Sequence, residues 1–224
     1  MRLIGGPPLS PRYNRPPLSR TKNIFAVPLD NFRSPAALAL FFLTMLIGLT
    51  IDLWTKELAF ERLVTELYRD GEGKTQVVSR IYPLIAGWLE FRATTNEGAV
   101  FGLGEGRRTL FITVSVAAIV FLTYLFLTSG RQRFYQFILG MLLAGVLGNM
   151  YDRLEYGYVR DMIHALPQWP NLFPWIFNVA DVLLCTGVAF MVLYSLTHGA
   201  HQDHHAAAAA AQPASTPDGS RPRA

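Results

Sequence analysis

Apolar residues along this chain are clumped rather than spread. Four stretches approach or reach the roughly 20 residues that a helix needs to cross a bilayer: Ala36 to Trp54, Leu110 to Thr128, Phe134 to Tyr151 and Trp175 to Leu196. The long connection between the first two has a different pattern. Glu57 to Asp70 reads as a continuation of the first helix into the interface, with Glu61 and Arg62 solvated, and ends at Gly71 and Gly73. Beyond them Trp88, Glu90, Arg92 and Thr94 alternate with Leu89, Phe91 and Ala93, the period of two expected of a strand. Residues 1–35 are rich in proline and basic side chains, and 198–224 in alanine, histidine and proline; neither can build a core. The pattern therefore predicts an all-α membrane protein, with a four-span domain over 36–197 and a small extracytoplasmic β element. Disordered segments flank it on both sides.

Composition agrees. Of 224 residues 51% are apolar and 16% charged, which argues against one soluble domain with four buried helices. The net charge of +4 includes no basic block interleaved with aromatics, so nucleic acid is not an expected partner. The distribution of charge says more. Arg2, Arg12, Arg15, Arg20, Lys22 and Arg33 precede the first span against the single acid Asp30, and Arg131 and Arg133 fill the turn between spans two and three. The positive-inside rule then places both termini in the cytoplasm of a bacterial inner-membrane protein, with the two longer loops outside. The first apolar run lies too far from Met1, and is too long, to be a cleavable signal peptide. Cys185, the only cysteine, permits no internal disulfide and reads as a small buried apolar residue. The histidines of the tail, His198, His201, His204 and His205, have nothing nearby to fix a metal geometry.

Against this apolar background the polar residues near one membrane face stand out. A central Asp or Lys costs about 2.5–3.5 kcal/mol to insert, so such residues face the bundle interior and are functional candidates. Asp52 and Lys56 close the first span four residues apart, on one helix face. Asn149 and Asp152 close the third span, followed by Arg153, and Asn178 and Asp181 open the fourth; each Asn-x-x-Asp puts amide and carboxyl on a common face. Asp161 lies in the connection between them. A helix N-terminus favours a carboxylate such as Asp181, and Asn178 suits a cap, but neither explains three carboxyls brought to one membrane face. Two close carboxyls cannot both ionise readily: one keeps a proton while the other acts as base. Such a pair can activate water against a peptide carbonyl. No other complete nucleophile set is visible.

These residues also stand in recognisable motifs. Gly148-Asn149-Met150-Tyr151-Asp152-Arg153 with Gly157-Tyr158-Val159-Arg160-Asp161 resembles the Gly-Asn-x-x-Asp-Arg…Gly-x-Val-x-Asp block of the lipoprotein signal peptidase (signal peptidase II) family. Phe177-Asn178-Val179-Ala180-Asp181 is similar to its Phe-Asn-x-Ala-Asp block, Asp52-Leu53-Trp54-Thr55-Lys56 to its Asp-x-x-x-Lys motif, and Asn96 to Gly102 to its Asn-x-Gly-x-Ala-Phe block. Val100 stands where that family usually has Ala, and Met162 where Phe is common. The resemblance covers about Ala36 to Thr197. It implies an aspartic endopeptidase of four spans that cuts prolipoproteins just before a diacylglyceryl-modified cysteine. It further implies no metal or other cofactor, and membrane lipid and prolipoprotein as partners of a monomer. Carried over, Asp161 and Asp181 are the catalytic pair. Asn149, Asp152, Arg153 and Asn178 support them, Arg153 being suited to hold substrate carbonyls. Asn96 and Gly98 line the substrate site, and Asp52 and Lys56 are supporting. The segment Trp88 to Gly102 is expected to cover the site as a platform or lid.

Two other readings of the same residues stay open: a proton-coupled carrier using the membrane carboxyls as a relay, and a metal-dependent hydrolase with Asp161, His164 and Asp181 as ligands.

Overall fold

The computed structural model describes residues 34–71, 73–98, 108–130 and 132–210. The basic arm, Arg131, the end of the expected lid at Ala99 to Gly102 and the tail from 211 lie outside the described residues. Four helices carry the apolar stretches: α1 Pro35–Leu63, α2 Arg108–Thr128, α3 Arg133–Glu155 and α4 Val179–Ala210. Each contains a window long and apolar enough to span a membrane. Six strands accompany them: β1 Val64–Arg69, β2 Thr75–Ser79, β3 Ile81–Ile85, β4 Leu89–Asn96, β5 Val159–Ala165 and β6 Ile176–Phe177.

The description all-α is therefore too narrow. The two longer connections must satisfy their backbone groups without spanning, and they do so as antiparallel ladders. β1 and β2 form a two-stranded sheet, and β3-β4-β5-β6 a four-stranded one. The second sheet joins chain from both connections, because β5, from between α3 and α4, pairs with β4, from between α1 and α2. The expected helical run to Asp70 also ends earlier. At Val64 the backbone turns extended, and β-branched Val64 and Thr65 enter the hairpin opposite β2.

Helix ends follow local chemistry. Ser34 caps α1, its hydroxyl accepting from the Ala37 N–H at 3.4 Å, with Pro35 in the first turn, where a missing donor costs nothing. α4 starts at Val179 rather than at Trp175, where the apolar stretch begins, because Asn178 and Asp181 build a reciprocal cap. The Asp181 N–H donates to Asn178 Oδ1 at 3.0 Å, and the Asn178 N–H donates to Asp181 Oδ2 at 3.2 Å.

α3 is the axis of the bundle, packed against α1, α2 and α4. Ile138, Leu139 and Ala144 on it are fully buried, in a core shared with Phe41, Leu122 and Phe126. Phe41 and Phe126 stack at 4.1 Å between ring centres. The outer helices instead turn large apolar side chains outward: Trp54 is 63% exposed, Val120 65% and Leu196 68%. Water would not tolerate an apolar belt of that extent, whereas hydrocarbon tails cover it without cost. The protein is a multi-pass membrane protein. Cys185 is exposed rather than buried, because it lies on the cavity side of α4, one turn beyond Asp181. Between helices the driving force is close packing, and small residues supply it. A Cβ on Gly145 would lie 2.7 Å from the Ala180 carbonyl oxygen of α4.

Candidate active site

β5 is the element that assembles the site. Tyr156 ends α3, and Gly157, at φ +90°, makes the left-handed turn that returns the chain along the sheet. Successive side chains of a strand point to opposite faces. Arg160 therefore turns toward α1 and α3, and Asp161 toward the start of α4. In register Thr94 of β4 lies opposite Asp161. Asn96, two residues along, shares that face, and its Nδ2 donates to Asp161 Oδ2 at 3.0 Å. Asn178 Nδ2 donates to Asp161 Oδ1 at 2.6 Å. Both oxygens of a buried carboxyl are thus held by amides from two different elements.

Asp181 is held in the same way, at one remove. Asn149 Nδ2 donates to Asp181 Oδ1 at 2.8 Å. The orientation of the Asn149 amide is fixed from behind, since its Oδ1 accepts from Lys56 Nζ at 3.0 Å and from Asn178 Nδ2 at 3.1 Å. Lys56 is completely buried and has two further oxygen partners, Asp52 Oδ2 at 2.8 Å and Asp152 Oδ2 at 3.3 Å. Asp52 Oδ1 accepts from the Ala180 N–H at 2.8 Å, so a carboxylate of α1 caps the first turn of α4. This close approach needs Gly148, where a Cβ would collide with Asp52 Oδ2.

Behind this lies a second ion-pair cluster that sequence reasoning did not single out. Arg160 donates to Asp152 Oδ1 from Nε at 3.1 Å and Nη2 at 2.9 Å, while its backbone N–H donates to Oδ2 at 3.0 Å. Its Nη1 reaches Glu57 Oε2 at 2.6 Å. The guanidinium also lies over the Tyr156 ring, at 4.4 Å. The one signal in the sequence was the position of Arg160 beside Asp161 in the Gly157–Asp161 motif. Of its partners, Asp152 already stood in the motif, whereas Glu57, far along the chain, carried no signal.

Arg153 is buried and reaches a backbone carbonyl, as its donor geometry suggests. Nη2 donates to the Gly98 oxygen at 2.8 Å, and its charge lies over the Phe111 ring at 4.7 Å. Gly98 in turn donates its N–H to Asn96 Oδ1 at 3.0 Å. Asn96 therefore caps its own turn and holds Asp161 at once. The ten residues singled out from the sequence thus form one connected assembly. His164 stands apart from it. Three positions along β5 from Asp161, it faces the other way and pairs with Glu90 Oε1 at 2.8 Å, its cross-strand neighbour.

Asp161 and Asp181 both line a cavity of about 1090 Å³, bounded by Asn96, Arg153, Trp175 and Val114 among others. Its polar end is at the carboxyls, and its walls on α2 and α4 are apolar or small, as at Ala118 and Val182. Asp161 titrates well above the ordinary carboxyl range, at about 7. Burial is the main cause and the nearby Asp181 carboxylate adds to it, while the Asn96 and Asn178 donors and Lys56 pull the other way. Below about pH 7 the arrangement thus keeps the Asp161 carboxyl protonated beside a second carboxyl, with room for a long apolar ligand. A smaller cavity of about 560 Å³, between Arg133 and Tyr194, contains none of these groups.

Comparison with known proteins bears on what this site is for. The sequence profile described as "Signal peptidase (SPase) II" matches residues 44–197. A lipoprotein signal peptidase of Rhodopirellula baltica is 35% identical over 174 residues, covering 70% of this chain and 71% of the relative. One from an Anaeromyxobacter species is 33% identical over 195 residues, covering 73% and 86%. Among solved structures, one described as a bacterial membrane enzyme obtained by the in meso method superposes with a TM-score of 0.61 at 25% identity. It covers 72% of this chain and 90% of its own.

Proposed function

The chain belongs to the signal peptidase II family, and from that premise we propose that it cleaves prolipoproteins immediately before a diacylglyceryl-modified cysteine, with Asp161 and Asp181 activating water. The observation that carries this reading is the pair of carboxyls on the wall of one cavity, each held by amide donors and with Asp161 titrating near 7. In the resting enzyme Asp161 carries the proton of the pair, and Asp181 serves as the base. Asp181 takes a proton from water as the water oxygen attacks the scissile carbonyl, and Asp161 donates its proton to the carbonyl oxygen. The tetrahedral intermediate collapses as its hydroxyl proton returns to Asp161. The proton held by Asp181 goes to the departing amine. Asn149 and Asn178 keep both carboxyls aimed throughout. The apolar walls on α2 and α4 suit the signal sequence and the acyl chains, and exclude water other than the attacking molecule. The cavity and the sheet face the outer side of the bacterial inner membrane, both termini are cytoplasmic, and the enzyme works as a monomer.

The test is cleavage of a lipobox peptide bearing a diacylglyceryl cysteine by purified enzyme, with product masses read directly. The expected outcome is one cut, at the bond before the cysteine, unaffected by chelator and absent in Asp161→Asn and Asp181→Asn. A carrier cleaves nothing, a metal-dependent hydrolase stops with chelator, and turnover by either asparagine variant overturns the pair.

A further inference from the structure

The β1–β2 hairpin is a sheet of its own, yet one of its residues grips the end of β4. The Thr75 N–H donates to Glu97 Oε1 at 2.9 Å, and Thr95 Oγ1 donates to the Thr75 carbonyl oxygen at 2.5 Å. Thr95 and Glu97 flank Asn96. The hairpin end is itself stiffened, with the Lys74 N–H donating to Asp70 Oδ1 at 2.9 Å and Gln76 Nε2 to Asp70 Oδ2 at 3.1 Å. Thr95, by alternation along β4, and Glu97, just past its end, turn one way, to Thr75, and Asn96 the other, to Asp161. Two bonds to one hairpin residue thus hold the backbone on both sides of the amide that touches the carboxyl. Lys74, Thr75 and Gln76 also form part of the cavity wall.

We propose that Thr95 and Glu97 are positioning residues, which grip Thr75 of the hairpin and so hold the Asn96 amide on Asp161. The hairpin is then a brace for the reacting groups and not a surface ornament. This rests on the peptidase reading given above. Without the grip the end of β4 is held by its pairing with β5 alone, and a hydrogen bond to a buried carboxyl weakens within a few tenths of an ångström. The charged groups facing Asp161 are Lys56 from α1, Arg153 from α3 and Asp181 from α4. None of them is altered when Thr95 or Glu97 is replaced; Glu97 is a charge on the same cavity wall, which Glu97→Gln removes as Glu97→Ala does, so a difference between those two variants, or a change in Thr95→Val, reports on Asn96. The sign is fixed: the Asn96 donor favours the ionised carboxyl, so losing it moves the Asp161 titration upward.

The experiment compares the full chain with Thr95→Val and Glu97→Ala, and with Thr95→Ser and Glu97→Gln, which keep the donor and the acceptor. With the lipidated peptide, Val and Ala are expected to lower kcat by about fivefold or more. KM should change by less than about twofold, and the high-pH limb of kcat should move upward. Ser and Gln should restore all three. A second readout needs no turnover. The carboxyl infrared absorption of Asp161, obtained by difference against Asp161→Asn, should titrate higher in Val and Ala than in the parent chain. An unchanged Asp161 titration in both variants overturns the proposal even if the chain is a peptidase. A shifted titration in a chain that never cleaves the lipopeptide supports the brace and overturns the peptidase reading. Equal losses in the conservative variants also overturn it, since they point to general damage.

Discussion

At the residue scale the decisive quantity is the proton on Asp161. Its carboxyl titrates at about 7 in the fold against 3.8 when free, chiefly through burial. A carboxyl raised in this way contributes stability that is complete below pH 3.8 and lost as pH rises through 7. Above pH 7 the ionised group therefore costs on the order of 4 kcal/mol relative to low pH. Asp161→Asn removes that charge while keeping a polar side chain of the same size. The variant should be inactive yet unfold at higher denaturant than the parent above pH 7, with the difference shrinking toward pH 4. Denaturation of both chains across that range checks it. In the intact enzyme kcat for the lipidated peptide should fall as pH passes through about 7, because the proton needed by the carbonyl oxygen is then gone.

At the scale of elements, charges from α1, α3 and β5 are interlocked, and the Asp52–Lys56 pair within α1 is tied to Asp152 of α3. Lys56 touches Asp52, Asp152 and Asn149, and Asp152 is shared with Arg160. Removing one partner of a buried pair leaves the others uncompensated, at about 3–5 kcal/mol. Lys56→Met should therefore lower stability by that amount, and it should abolish turnover because the Asn149 amide is no longer oriented toward Asp181. Unfolding midpoints and cleavage rates measure the two effects separately. Gly148→Ala should displace Asp52 from the first turn of α4 and cost both stability and rate. A helix-neutral outcome for that variant, with wild-type activity, would contradict the packing described.

At the scale of the whole molecule, the apolar exterior and the polar interior at one end define a protein that is inside-out relative to a soluble domain. The asymmetry of basic residues in the arm and the turn before α3 predicts that both termini are cytoplasmic. Reporter fusions at the C-terminus should be active only on the cytoplasmic side. None of the residues at the site lies before Ser34 or after Gly199. A chain cut to that interval should insert and retain most of the cleavage rate, and the rate per inserted molecule is the measure to compare.

The sequence by itself determined the elements that depend on local composition. Long apolar runs must be helices in a bilayer, because only internal hydrogen bonds satisfy the backbone there. Asn178 with Asp181 wrote the start of α4, and Gly157 the turn out of α3, since both act within one helical turn. The cost of charge in an apolar span marked Asp52, Asp152 and Asp181 alike, and the family resemblance added Asp161 from the connection between spans. What tertiary structure decided is every relation across chain distance. Pairing of β4 with β5 brought Asn96 to Asp161. The approach of α1 to α3 at Gly148 brought Asp52 to the cap of α4. Arg160 found Glu57 only because β5 packs beside α1. The hairpin was invisible as a brace for the same reason: its grip on Thr95 and Glu97 is made by side chains meeting a backbone that no local pattern encodes. Propensity and periodicity act over a turn or a strand, whereas a site is made by contacts that exist only once the helices and sheets have closed on one another.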